Sequence, residues 1–277
     1  MIPVALTGRG PDMDQVESLI ANDPNIKAMW CVPRFSNPTG EVYDADTVDR
    51  IAALAKTAGP NFYVFWDNAY AVHAIADDAP RLSSIEAAAS KAGTQSSIIQ
   101  FGSTSKITFA GAGIGYMASS AENIAGFTQR FGKASIGSDK INQQRHVAFL
   151  QNTAVIEQHM AKHAAIIAPK FAAVIDSLES ELGGSGMGQW NSPQGGYFVS
   201  FETRAGLATE VVRLAAEAGV KLTPAGATFP LGQDPNDSNI RIAPTYPTLA
   251  DVGSAMAVFV NCVKLASLRQ QLEQHAN

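Results

Sequence analysis

The sequence predicts an α/β domain, built on a parallel-rich sheet with helices packed against it, followed by a smaller α+β domain. Three observations carry that prediction. Short, nearly continuous apolar runs alternate with helical patterns through the first half, as strands buried on both faces do. Beyond residue 150 the chain changes character to one long helical stretch and then sparser strands. Finally, 46% of the 277 residues are hydrophobic and no low-complexity segment interrupts them, which is enough for one large core or two modest ones.

Taken in order, Asp12 to Asn22 has a short helical pattern, and Ala28 to Val32 (AMWCV) is a buried strand. Asp46 to Ala58 is amphipathic, with Val48, Ile51, Ala52 and Ala55 on one face and Gly59-Pro60 as its stop. Phe62 to Trp66 (FYVFW), Ser97 to Phe101 (SIIQF) and Gly113 to Ala118 (GIGYMA) are the next strands. The last two lie too close for a helical crossover, so that pair is expected to be antiparallel. A long helix is expected from about Asn152 to Leu182, ending at Gly183-Gly184. After it come a strand at Tyr197 to Phe201, a helix near Thr209 to Ala218, short strands at Val220 to Thr223 and Asn239 to Ala243, and a final helix from about Leu249. The domain boundary is placed near residue 150, giving units 1–150 and 151–277.

The net charge of −5 is slightly acidic, which argues against a nucleic-acid partner. Cys31 and Cys262 stand alone and read as free thiols of a reducing compartment. No basic start with an apolar core opens the chain, and no apolar run is expected to span a bilayer, so the expected location is the cytoplasm and no membrane partner is expected. The histidines show no metal-ligand spacing, and no metal is expected.

Three segments carry chemistry. Phe35-Ser36-Asn37-Pro38-Thr39-Gly40 follows a buried strand and places an amide at its C-terminal end. Trp66-Asp67-Asn68-Ala69-Tyr70 puts a carboxylate at the end of another, where α/β folds place ligand-binding groups. Gly102-Ser103-Thr104-Ser105-Lys106 puts a lysine among small hydroxyl residues after a third. Alone, each has an ordinary reading: a turn, a helix cap, a loop lysine. Together they supply what pyridoxal 5'-phosphate (PLP) needs: an amine for an imine, a carboxylate for the pyridine nitrogen, donors for phosphate and phenolic oxygen. The interval from Asp67 to Lys106 leaves room for a helix and a return strand.

In these motifs the chain resembles the fold-type I PLP aminotransferases. FSNPTG, the D-x-x-Y of Asp67 and Tyr70, and STSK ending at Lys106 fall in that family's order. Downstream, Pro193-Gln194-Gly195-Gly196-Tyr197-Phe198, Thr223 to Phe229 and Asn239-Ile240-Arg241-Ile242-Ala243 resemble its later segments, so the likeness covers nearly the whole chain. CVPRFSNPTG, FWDNAYAVH and STSKITFAGAGIG look most like the bacterial aspartate aminotransferase subgroup with a MocR-like aminotransferase domain.

The resemblance implies a three-layer PLP-transferase large domain, present in part, and a small α+β C-terminal domain. It also implies residue roles. Lys106 would carry the cofactor and shuttle the proton, and Asp67 would pair with the pyridinium nitrogen. Asn37 and Tyr70 would bond the phenolic oxygen, and Ser103 and Ser105 the phosphate. Arg241, with Asn37, would bind the substrate, the arginine taking its α-carboxylate in a bidentate fork. The implied reaction exchanges an amino acid, aspartate, with a 2-oxo acid, 2-oxoglutarate, in a homodimer. A PLP lyase or decarboxylase, a non-catalytic MocR-type effector domain and an inactive remnant remain alternatives.

Two departures stand out. Relatives carry an arginine in a G-x-R-x-G stretch after the lysine, whereas here Gly111-Ala112-Gly113-Ile114-Gly115 has none. Relatives also place a Gly-rich phosphate loop and a ring-stacking aromatic before the first strand recognised here. The expectation is therefore an N-terminally truncated chain with apolar surface exposed. Lys140 and Arg145 are read as a solvated helix face.

Overall fold

In the computed structural model, which describes residues 1–276, helix α1 (Met13–Asn22) starts where Asp12 accepts hydrogen bonds from the Asp14 and Gln15 amides. It buries Met13, Val16 and Ile20. Strand β1 (Ala28–Cys31) leads through the Asn37 turn, whose Asn37–Pro38 peptide is cis, to α2 (Ala45–Ala53). The amphipathic pattern read to Ala58 is α-helical only to Ala53 and tightens into a 3₁₀ turn over Leu54–Lys56. Strand β2 (Tyr63–Asp67) follows, then α3 (Ile85–Ala92), ended by Gly93 in the left-handed region at φ 73°. Strands β3 (Ile98–Ser103) and β4 (Gly115–Ala118) complete a sheet in chain order.

In that sheet β1, β2 and β3 run parallel, and β4 returns antiparallel to β3, as its short connection requires. Val48, Ile51, Leu54 and Ile85 pack from the helices onto Val64 and Trp66 on one face. The other face carries an aromatic row of Trp30, Phe65 and Phe101. Trp30 stacks on Phe101 at 6.3 Å between ring centres and stays 65% exposed.

Helices α4 (Ala121–Ala134) and α5 (Lys140–Leu150), neither of which the sequence pattern delimits, lead into α6 (Thr153–Leu182). The last begins at an Asn152 cap, and Gly183 follows its end. Strands β5 (Gly188–Trp190), β6 (Val199–Thr203) and β7 (Asn239–Ile242) form an antiparallel sheet. With α7 (Ala208–Glu217) and α8 (Leu249–Ala276), they enclose a second core containing Phe171, Val174, Leu178, Phe201 and Phe259. Phe201 meets Phe259 edge-on at 5.1 Å. In β7 the side chains alternate: Ile240 and Ile242 are buried, and Arg241 between them faces the other way, half-buried.

Three expectations are corrected here. Val220 to Thr223 forms no strand; the Val220 amide turns back to bond the Ala215 carbonyl at 2.8 Å, closing α7 instead of pairing with a neighbour. The strand read at Tyr197 to Phe201 starts at Val199, because Gly195 to Tyr197 is drawn away into the seam between the sheets. Leu249–His275 has the length and apolarity of a membrane span, contrary to the reading that no run does. Here its inner face, including Val252, Met256, Phe259 and Val263, is buried in the second core.

Phe201 is fully buried between Trp190 and Phe259. Removing such a ring forfeits transfer free energy and leaves a cavity, so Phe201→Ala should cost about 3–5 kcal/mol. Urea unfolding will show it, and a loss within experimental error would mean that this core is not what holds the second sheet to its helices.

Candidate active site

Parallel pairing puts the C-terminal ends of β2 and β3 on one edge. Asp67 ends β2 opposite Phe101, and the next amide, Asn68, donates to the Phe101 carbonyl at 2.9 Å. Tyr70 lies in the following turn, buried, with 4% of its surface exposed. Burial pushes its phenol up to about 12, with the Asp67 and Tyr197 charges adding to the rise and Arg241 opposing it. The hydroxyl is therefore protonated, and a donor, throughout the physiological range.

The chain leaves β3 at Ser103 and makes one helical turn. The Ile107 and Thr108 amides both bond the Thr104 carbonyl at 2.9 Å. Ser103 Oγ donates to Ser105 Oγ at 2.8 Å and accepts from the Ser105 amide at 3.0 Å, so the two hydroxyls form one polar patch. A side chain at Gly113 would collide with Ser105, which is why the return strand passes here as glycine. Lys106 aims its Nζ over the Tyr70 ring, 4.8 Å from the centre.

Arg241 arrives from the other sheet. Its Nη1 donates to Asn37 Oδ1 at 3.1 Å, and its guanidinium lies 4.5 Å over the Phe198 ring. Its Nε is buried without a hydrogen-bond partner. Asn37 and Arg241, far apart in sequence, are thus in contact, as are Lys106 with Tyr70 and Ser103 with Ser105. Arg241 and Asp67 both act on the Tyr70 phenol. Of the side chains read as solvated, Arg145 lies over the Phe109 ring at 5.5 Å.

The seam that delivers Arg241 is a backbone contact. Ala74 bridges to Gly195, the Gly196 amide bonds the His73 carbonyl at 3.0 Å, and the Ile75 amide bonds the Gln194 carbonyl at 3.0 Å. A Cβ on Gly195 would strike the Phe35 ring and the His73 carbonyl.

Four residues around Lys106 were not read as part of the site. Tyr197 donates its hydroxyl to the Lys106 carbonyl at 2.7 Å, and His73 Nε2 approaches the same oxygen at 3.2 Å. His159 Nε2 holds the Ile107 carbonyl at 2.7 Å, and His146 Nε2 pairs with Thr108 Oγ1 at 2.9 Å. Three histidines from three parts of the chain thus hold three successive residues. For Tyr197 the PQGGYF motif was a signal in hand. For His73 the signal was its place three residues after Tyr70 in FWDNAYAVH.

These groups fit PLP and an amino-acid carboxylate. They provide one amine, one carboxylate at a strand end, a protonated phenol beside the amine and paired hydroxyls at the neighbouring strand end. The unpartnered Arg241 Nε is a buried donor of the kind that a bound carboxylate satisfies.

His73 also sets a pH dependence. Burial, against the help of its backbone hydrogen bonds, lowers it to about 4 from 6.5. The unfolded chain takes up this proton first as pH falls, so the contribution is whole above the unfolded value and is lost as pH drops through the folded one. Between roughly pH 6.5 and 4 the protein should lose urea stability, and His73→Gln should lose less over the same window. Equal losses in the two proteins would contradict a buried neutral His73.

The aspartate amino-transferase family pattern matches residues 1–275. An aspartate aminotransferase of Corynebacterium glutamicum is 44% identical over 277 residues, covering 100% of this chain and 63% of its own length. The crystal structure of an aspartate transaminase from Corynebacterium glutamicum superimposes with a TM-score of 0.94 at 43% identity, over 98% of this chain and 63% of that one. The α-aminoadipate aminotransferase LysN from Thermus thermophilus, solved with N-(5'-phosphopyridoxyl)-L-leucine, has a TM-score of 0.83 at 21% identity, over 96% of this chain and 66% of that one, a likeness of fold alone. The chain thus spans 63% of the length of the Corynebacterium glutamicum relative. With the family pattern running through residue 275 from the first, and the motif residues gathered at the edges of two sheets, this chain belongs to the aspartate amino-transferase family.

Proposed function

We propose that this chain carries the cofactor-attachment and substrate-carboxylate groups of a PLP-dependent aminotransferase, acting between aspartate and 2-oxoglutarate. The observation that carries the reading is the placement of Lys106 Nζ over Tyr70 while Arg241, from the other sheet, meets Asn37 with one donor still unsatisfied. A group attached at the lysine and a carboxylate held at the arginine would share the space between the two strand edges.

Bound PLP supplies an electron sink that lets the amino acid lose a proton from Cα. Lys106 Nζ would attach the cofactor and, as a free amine, would move that proton. Asp67 keeps the ring nitrogen protonated by its negative charge. Tyr70, a donor because its phenol titrates near 12, bonds the phenolic oxygen together with Asn37. Ser103 and Ser105 hold the phosphate. Arg241 binds the α-carboxylate, and its contact with Asn37 fixes the fork in plane. The same reading takes the protein as a cytoplasmic homodimer with a domain division near residue 150, and the two separate cores are consistent with that division.

Three measurements test it. The purified protein with PLP should show an absorbance band that aspartate shifts and 2-oxoglutarate restores, and borohydride should fix the cofactor on Lys106. In Lys106→Ala that fixation should vanish; a label on another lysine would sink the assignment. Arg241→Lys keeps the charge but loses the fork, and should raise KM for the amino acid by about 10- to 100-fold with PLP still attached. An unchanged KM would place the carboxylate elsewhere.

A further inference from the structure

The carbonyl oxygen of Lys106 accepts two hydrogen bonds from outside its own turn. Tyr197 Oη donates at 2.7 Å from the β5–β6–β7 unit, and His73 Nε2 lies at 3.2 Å from the turn after β2. Because the acceptor is a carbonyl, the His73 contact is a hydrogen bond when its proton is on Nε2; its Nδ1 is buried without a hydrogen-bond partner. A carbonyl has two lone pairs, and both are engaged here. The donors are themselves locked. His73 and Tyr197 meet edge-on at 5.1 Å, and both pack edge-on against Tyr70, at 5.6 Å and 5.7 Å. The His73 carbonyl, in turn, takes the Gly196 amide beside Tyr197. Tyr70, whose ring lies beneath Lys106 Nζ, thus shares one aromatic cluster with the two groups that grip the lysine's main chain.

We propose that His73 and Tyr197 are positioning residues for Lys106: by occupying both lone pairs of its carbonyl they fix the lysine's backbone and hold its amine over Tyr70. The proposal rests on the reading of Lys106 as the cofactor lysine. The physical reason is leverage. A lysine side chain has four freely turning bonds, so its Nζ stays in one place only if its Cα does. Within the turn the Ile107 amide ties one side of the peptide plane after Lys106 to the Thr104 carbonyl; its carbonyl side is held from outside the turn, by Tyr197 and His73. Both donors are neutral, so they fix that plane without adding a charge beside the ammonium. His73 stays neutral because burial holds it near 4. Tyr197 also ties the lysine to the sheet that carries Arg241, so attachment and carboxylate groups keep a common frame.

Tyr197→Phe removes one hydroxyl and keeps the ring. His73→Phe removes the other donor, and His73→Gln returns an N–H. The full chain of each variant is mixed with PLP and quenched with borohydride at intervals, and phosphopyridoxyl-Lys106 is measured by mass spectrometry. Visible absorbance of the PLP-bound protein is titrated in parallel, because its midpoint reports how the lysine nitrogen is held and does not follow overall stability. Tyr197→Phe and His73→Phe should each slow attachment by about tenfold and move the midpoint by about half a unit or more, with His73→Gln recovering most of both. Tyr197→Phe should keep a melting temperature near that of the wild type. Wild-type attachment rate and midpoint in Tyr197→Phe, or no recovery in His73→Gln relative to His73→Phe, overturns the positioning role while leaving Lys106 as the attachment residue. Failure of the wild-type chain itself to attach PLP at Lys106 overturns the functional reading, and the positioning role falls with it.

Discussion

The parallel pairing of β2 with β3 is the constraint on which the site depends. In-register contact from Val64 with Ile98 to Asp67 with Phe101 brings two strand ends out on the same edge. Parallel strands need a crossover, and α3 supplies it. That crossover carries the chain from Asp67 round to Ser103 while keeping both at the same end. The antiparallel return of β4 then pins the far side of the Lys106 turn: the Thr104 amide bonds the Ile114 carbonyl at 3.0 Å, and Thr104 Oγ1 accepts from the Ile114 amide at 2.8 Å. The lysine therefore sits on a short loop fixed at both feet.

A second constraint joins the two sheets. Arg241 reaches Asn37 where residues 193–196 lie against Phe35, Gly40 and His73. Two glycines let that backbone approach. Beneath Arg241 the strand is anchored by Asn239, which is buried and donates to Ser200 at 2.8 Å and accepts from Thr228 Oγ1 at 2.7 Å. On its far side Lys170, also buried, donates to the Thr245 carbonyl at 2.8 Å. In the proposed role of Arg241 a rigid β7 matters, because a guanidinium recognises a carboxylate by direction as well as charge.

Much of this was legible in the sequence because it follows from local pattern. AMWCV, FYVFW and SIIQF are nearly continuous apolar runs, and each became a strand of the first sheet. Asp67 and Ser103 stand at strand ends because those runs end there. The antiparallel β3–β4 pair followed from connection length alone. What failed was decided by partners. Val220 to Thr223 has strand composition, but no neighbouring strand takes it up, and α7 captures its first amide. β5 is three residues long, too short for any period to show. The GGY segment has the pattern of a strand but was drawn into the seam. The contacts of His73, His146 and His159 with residues 106–108 span 33, 38 and 52 positions, distances at which spacing carries no signal.

Those histidines lack metal-ligand spacing; their part in the fold is to meet backbone and hydroxyl groups of the Lys106 turn, since buried carbonyls need donors. The carbonyls of Lys106 and Ile107 lie in a turn too short to satisfy them internally. A lysine or arginine could reach them, but would bring a permanent positive charge next to Lys106. A serine is too short to span the gap between separate elements. Imidazole is long enough, stays neutral when buried, and offers one N–H in a fixed direction. His73, whose imidazole burial lowers and the Lys106 charge lowers further, fits that preference. Lys106 and Arg241 bring positive charge to the two ends of the space that the proposed cofactor and substrate would fill.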